Sequence, residues 1–154
     1  MRFTKMHGAG NDYIYVNCFQ EQVDDPEDLA RRISDRHFGI GADGLILIMP
    51  SDKADFRMRM FNADGSEGMM CGNATRCIGK YVYDNGMTDK TEISLETKSG
   101  IKYLTLFVKN GLVDTVEVDM GKAVIVPSEI PMKADGDSFI NKPITANGEE
   151  HYIT

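Results

Sequence analysis

Along the first 120 residues, apolar and polar positions fall into short β-rich runs: RFTKM (2–6), DYIYVNCF (12–19), LILIM (45–49), DFRMRMFN (55–62), TEISLET (91–97), IKYLTLFV (101–108) and LVDTVEVDM (112–120). Gly, Asn, Asp and Ser separate them, as expected for strands joined by turns. Asn110-Gly111 lies between the last two runs. Both residues tolerate positive φ, so the pair predicts an antiparallel hairpin. Two segments change period. Residues 26–36 begin with Pro, carry acids in the first turn, and place Leu29, Ala30 and Ile33 on one face. In residues 74–84, Ala74, Cys77, Ile78, Tyr81 and Val82 follow an i, i+3, i+4, i+7, i+8 stripe, and Gly86 supplies a stop. The first reads as an amphipathic helix covering a sheet. The second needs something to pack into, and a strongly curved sheet wrapped around it is the economical solution, although periodicity does not distinguish wrapping from simple layering. The expected class is α+β, with a mostly antiparallel sheet.

From 122 to 148 the texture shifts to Pro, Asp, Gly and Lys with short apolar pieces, including VIVPSEIPM and ADGDSF. This reads as a connector, and the closing EEHYIT reads as a strand just beginning, which points to truncation. The expected organisation is one lobe over 1–121, followed by a connector and the start of a second lobe over 122–154.

Length and charge narrow the function. A chain of 154 residues with 42% hydrophobic content can bury a substantial core. Its 17 basic and 24 acidic residues give a net charge of -7, the wrong sign for a nucleic-acid or anionic-lipid footprint. No run approaches a membrane span and the first residues lack a signal-peptide core, so a soluble cytoplasmic protein with a small-molecule ligand is expected. Three cysteines, Cys18, Cys71 and Cys77, with no CxxC spacing and no paired histidines, argue against a disulfide framework and a zinc site. Buried apolar thiols or one reactive thiolate remain.

The segment FNADGSEGMMCGNATRC (61–77) separates these readings, because it delivers Cys71 into the start of the second helix. Asn73 reads as the N-cap. The free N–H groups and positive dipole end of the first turn stabilise an adjacent anion, either a thiolate or a ligand carboxylate. Gly72 lets a ligand approach the backbone. Cys77 lies on the apolar stripe and reads as a buried small hydrophobe, as does Cys18 at a strand end. HGAGNDY (7–13) and FGIGADG (38–44) are Gly-rich loops that taken alone mean tight turns first and ligand loops second.

Together KMHGAGNDY, FGIGADG and FNADGSEGMMCGNATRC resemble the diaminopimelate epimerase family in order and surroundings, over nearly the whole chain. The resemblance implies a fold of two similar lobes, each a curved sheet around a central helix, with the active site between them. It implies interconversion of LL- and meso-diaminopimelate, serving lysine and peptidoglycan synthesis, without pyridoxal phosphate or metal. One cysteine thiolate removes the α-proton while a thiol on the opposite face donates another. Cys71 matches the amino-lobe cysteine, Gly72 and Asn73 match positions whose amides hold the substrate α-carboxylate, and Asn11 and Asn62 match amide side chains that hold the substrate. A homodimer is implied for the full-length form.

The sequence departs from the family pattern at three points. Ala74 stands where many members have glycine, Gly44 where some have a substrate-contacting glutamine, and the entire second lobe, which brings the partner cysteine, is absent, with neither Cys18 nor Cys77 in a second matching motif. The chain alone is therefore expected to be inactive. Two other readings share the scaffold: racemisation of a different amino acid, and a non-catalytic lobe that binds a small acid or assembles with another chain. A redox thiol protein is a third, disfavoured by the lack of a resolving CxxC partner.

Overall fold

In the computed structural model, the alternation of the first 120 residues becomes eight strands and two helices. In chain order these are β1 (Thr4–Gly8), β2 (Asn11–Asn17), α1 (Pro26–Ser34), β3 (Gly44–Met49), β4 (Phe56–Asn62), β5 (Glu67–Gly68), α2 (Gly72–Asp84), β6 (Glu92–Thr97), β7 (Gly100–Lys109) and β8 (Leu112–Val118). The structure describes residues 1–130, 132–134 and 136–154. It divides into units of Met1–Met120 and Gly121–Thr154.

The sheet of the first unit runs β1-β2-β3-β4-β6-β7-β8, with β5 paired to β4. Most pairings are antiparallel, but β2–β3 and β4–β6 are parallel. Each parallel pair is bridged by a helix, as a parallel crossover requires. The helix α1 joins β2 to β3, and α2 joins β4 to β6. Both edge strands, β1 and β8, pack against α2, so the sheet curls around that helix, an arrangement the stripe's period alone leaves open.

Strand alternation sends side chains to two cores. Tyr13, Tyr15, Ile46, Ile48, Met58 and Met60 join Ala74, Cys77, Ile78 and Val82 of α2. Ile14, Val16, Leu45, Leu47 and Phe61 face the other way and pack on Ala30, with Leu29 and Ile33 partly buried beside them. Coverage on both faces explains why YIYV and LILI are continuous apolar runs rather than strict alternations.

Local chemistry sets the boundaries. Gly8 and Asn11 pair across a turn in which Ala9 and Gly10 both have positive φ, at 53° and 85°. This registers β1 over Thr4–Gly8, two residues beyond the 2–6 run. Asn110 and Gly111, at 54° and 80°, make the predicted hairpin turn between β7 and β8. Asp25 caps α1 by accepting from the Asp28 N–H, and the helix ends at Ser34, short of 36. There the Asp35 carboxylate accepts from the N–H groups of His37 and Phe38, at 2.7 Å each, and turns the chain out of the helix.

The second unit has a short 3₁₀ turn at Pro127–Glu129 and an antiparallel hairpin of β9 (Lys142–Ala146) and β10 (Glu149–Ile153). The final strand thus has a partner within the stretch read as a connector. Asn147 and Gly148, with φ of 53° and 83°, are its turn, an Asn-Gly signal like the first. All five residues of β9 are exposed, so no buried face imprints an alternation on them. Within the connector, Pro131 of VIVPSEIPM and Asp135 of ADGDSF lie outside the described residues.

Candidate active site

Cys71, rather than Asn73, is the N-cap of α2. It has extended backbone angles (φ -137°, ψ 118°), and its carbonyl accepts the first helical hydrogen bond from the Thr75 N–H at 2.9 Å. Its Sγ accepts from the Ala74 N–H at 3.5 Å, the position a capping side chain occupies. Gly72 and Asn73 are consequently the first two helical residues, and their N–H groups have no carbonyl within the helix to bind. The first turn carries no acidic side chain of its own to compensate the positive end of the helix.

Released from capping, the Asn73 side chain accepts from the Arg76 guanidinium and turns its amide nitrogen toward Asn11 Oδ1 at 3.5 Å. The same Asn11 oxygen accepts from the Cys71 thiol at 3.3 Å. The β1–β2 turn reaches the helix start because residue 8 is glycine: a Cβ there would come 3.1 Å from both Cβ and O of Asn73 and 3.3 Å from its Cα. Cys71 itself is half-buried and packs against the core around α2.

A charged cluster lies behind Asn11. The Asn11 amide donates to Asp43 Oδ2 at 2.7 Å, and the Asp12 N–H donates to the same oxygen at 3.1 Å. Arg36 bridges Asp43 Oδ1 (2.9 Å) and Asp12 Oδ1 (2.8 Å), while Lys5 sits 3.0 Å from Asp12 Oδ2. The Arg36 hydrogen bond, assisted by Lys5, holds the Asp12 carboxyl far below the usual carboxylate range.

Two tyrosines of β2 lie beside two thiols, Tyr13 by Cys71 at the cap of α2 and Tyr15 by Cys77 within it. Burial pushes the Tyr13 phenol above its ordinary value, and negative charge on Cys71 would push it further, with the Asn11 hydrogen bond opposing. Tyr15 is raised by burial first and by Cys77 second. Its hydroxyl is enclosed beside Cys77 without a hydrogen bond of ordinary geometry. Cys77 is buried, in keeping with its stripe position. Cys18 is only half-buried, because it follows the last residue of β2, and burial raises its thiol.

The sequence-derived candidates therefore separate. Asn11, Cys71, Gly72 and Asn73 come together at the start of α2. Asn62 ends β4 opposite Gly44, at the same end of the sheet, but its amide donates to Ser66 Oγ at 2.9 Å within its own turn. That turn is tied to the cluster through the Ala63 N–H and the Asp43 carbonyl, 3.0 Å apart. At Gly44 a Cβ would collide with the Phe61 carbonyl oxygen, so this backbone accommodates no glutamine there. Sequence reasoning did not single out Asp12, Tyr13, Arg36, Asp43 or Arg76. All but Arg36 stand inside the three quoted motifs, and their roles depend on contacts between segments.

Among the described residues, no group of three or more His, Cys, Asp or Glu side chains is gathered as a metal site would require. No helix there is long and apolar enough to cross a membrane.

The family model described as diaminopimelate epimerase matches residues 3–126. A diaminopimelate epimerase of Acetivibrio thermocellus is 58% identical over 154 residues, covering 100% of this chain and 55% of the relative. One from Agathobacter rectalis is 59% identical over 161 residues, covering 100% of this chain and 56% of the relative. The chain spans about half the length of the curated relatives it matches. A solved hydroxyproline epimerase from Agrobacterium vitis, with trans-4-hydroxy-L-proline bound, superimposes with a TM-score of 0.63 at 16% identity. It covers 97% of this chain and 46% of that one, a likeness of fold. The chain belongs to the diaminopimelate epimerase family.

Proposed function

We propose that this chain supplies one wall of a diaminopimelate epimerase active site, with Cys71 as one of two cysteines that move the α-proton. The observation that carries this reading is the sulfur of Cys71 at the cap of α2, beside the N–H groups of Gly72 and Asn73, for which the helix itself offers no carbonyl. A substrate α-carboxylate at those N–H groups is held by the helix dipole, which brings the α-carbon to the sulfur. The Cys71 thiolate takes the α-proton and becomes a thiol. The N–H groups stabilise negative charge that spreads from the α-carbon onto the carboxylate. A second thiol on the opposite face reprotonates carbon and inverts it, and the roles reverse in the other direction.

In this reading Asn11 and Asn62 hold the substrate, with Asn11 offering an oxygen, since its nitrogen is committed to Asp43. The second cysteine comes from the part of the family's length that this chain does not span. Residues 1–121 are one lobe, 122–154 begin the other, and the full-length enzyme is a cytoplasmic homodimer. No pyridoxal phosphate or metal takes part. Without the second wall, the 154 residues bind diaminopimelate weakly and do not epimerise it.

The test follows deuterium from solvent into the α-position of LL- and meso-diaminopimelate, with the complete gene product and its Cys71→Ser variant. Exchange with inversion, lost in the variant, supports the reading. Exchange into another amino acid instead makes it a racemase of different specificity, and undiminished exchange in Cys71→Ser removes Cys71 from the chemistry.

A further inference from the structure

We infer that Asp43 is a positioning residue that decides which end of the Asn11 amide faces Cys71; the inference rests on Cys71 being the proton carrier proposed above. The two ends of an asparagine amide have nearly the same shape and opposite hydrogen-bonding character, so neighbours select between them. Here the selection is made from both sides. Asp43, held by Arg36, presents a carboxylate, which accepts and does not donate; Asn11 must give it the amide nitrogen, and does so at 2.7 Å. On the far side the Arg76 guanidinium donates and cannot accept. It takes the Asn73 oxygen, and the Asn73 nitrogen is left pointing at Asn11 Oδ1. Reversing the Asn11 amide would set oxygen against carboxylate on one side and nitrogen against nitrogen on the other. A carboxylate at one end and a guanidinium at the other therefore polarise both amides in one sense.

The consequence reaches the sulfur. Cys71 Sγ meets an oxygen at 3.3 Å, an acceptor that favours the protonated thiol, and the Ala74 N–H at 3.5 Å, a donor that favours the thiolate. A group that gives a proton in one direction and takes one in the other is served by having both partners. The acceptor half of that balance is set by Asp43, which acts only through Asn11.

The test is the rate at which iodoacetamide alkylates Cys71 in the full chain at fixed neutral pH, read on the Cys71 peptide by mass spectrometry. The Cys71 thiolate attacks the iodoacetamide carbon and displaces iodide, so the rate follows the thiolate fraction. Asp43→Ala removes the shorter of the two contacts that fix the amide, 2.7 Å against 3.5 Å to Asn73, so its nitrogen can turn to the sulfur, and alkylation should quicken by about tenfold, as expected for a change of one hydrogen bond. Should Asp43→Ala not fold, Asp43→Ser carries the same expectation. Asp12→Asn removes a carboxylate from the same Arg36 but leaves the Asn11–Asp43 contact, and should change the rate by less than about twofold, because that carboxylate's charge is offset by Arg36 and Lys5. Asn11→Ala should quicken alkylation, and Asp43→Ala added to it should do nothing more. If Asp43→Ala leaves the rate unchanged, or quickens it equally with Asn11 already removed, its influence is absent or is plain charge, and the inference falls. A response to Asp12→Asn as large as that to Asp43→Ala overturns it too. Alkylation needs no turnover, so these results are independent of whether the complete protein epimerises diaminopimelate, which the deuterium experiment decides.

Discussion

The Sγ of Cys71 lies 3.5 Å from the backbone nitrogen of Ala74, so the thiol proposed to carry the proton also caps its own helix. Chemistry and stability thus meet in one atom, and substitutions can separate them. Serine is a strong N-cap, so Cys71→Ser should leave the unfolding free energy within about 0.5 kcal/mol of the parent or raise it, while Cys71→Ala should cost about 1 kcal/mol. Both should abolish α-proton exchange in the complete protein, because neither side chain forms a thiolate. Urea denaturation and deuterium incorporation measured on the same preparations check the two halves.

Cys77 is six residues further along α2, buried among Tyr15, Ile78 and their neighbours. Cys77→Ala should destabilise by about 1 kcal/mol through the small cavity it leaves. Turnover per folded molecule should hardly change. Loss of turnover at unchanged stability would place Cys77 in the chemistry instead.

Gly8 lets the β1–β2 turn approach the helix start. In Gly8→Ala the new Cβ meets the Asn73 backbone at 3.1–3.3 Å, and the turn and helix must separate by tenths of an ångström. Overpacking of this kind costs about 1 kcal/mol or more. The larger effect should fall on turnover, roughly tenfold or beyond, because Asn11 moves with the turn. Comparing kcat with the urea midpoint reveals whether the two losses separate.

Asp55 ties the stability of the fold to acid pH. The Lys90 ammonium 2.5 Å away is the main cause, and the Ser94 N–H next, of an Asp55 carboxyl held down at about 2 from an ordinary value of 3.8. A carboxyl depressed in the folded state contributes stability that is fully present above its unfolded value and lost as pH falls through the folded one. Between about pH 4 and pH 2 the parent should lose more stability than Asp55→Asn does, so their urea midpoints should converge. Midpoints that stay parallel across this window would show the Lys90 pair contributes nothing.

Much of the fold is written locally. The seven β-rich runs, both helices and the Asn110-Gly111 turn are legible because side-chain period and turn residues act over a few positions. The exposed strand β9 escaped for the same reason: with no buried face, Lys142–Ala146 carries no period, and only its Asn147-Gly148 turn could have flagged it. Cys71 stood out because a cysteine followed by Gly72 and Asn73 precedes an amphipathic stripe.

Tertiary structure decided the rest. Whether β3 pairs parallel to β2 depends on α1 covering the outer face, a matter of two elements meeting. The capping residue was settled by the backbone angles at Cys71 and by the pull of Arg76 and Asn11 on the Asn73 amide, which composition does not record. Asn11 and Cys71 are 60 residues apart, and Asp43 and Arg36 belong to a third segment. Sequence alone determined which residue types were on hand, because patterning and motif are local. Which amide end meets the sulfur was decided only when the curled sheet closed those segments on one point, because hydrogen-bond direction belongs to the assembled neighbours and to no residue by itself.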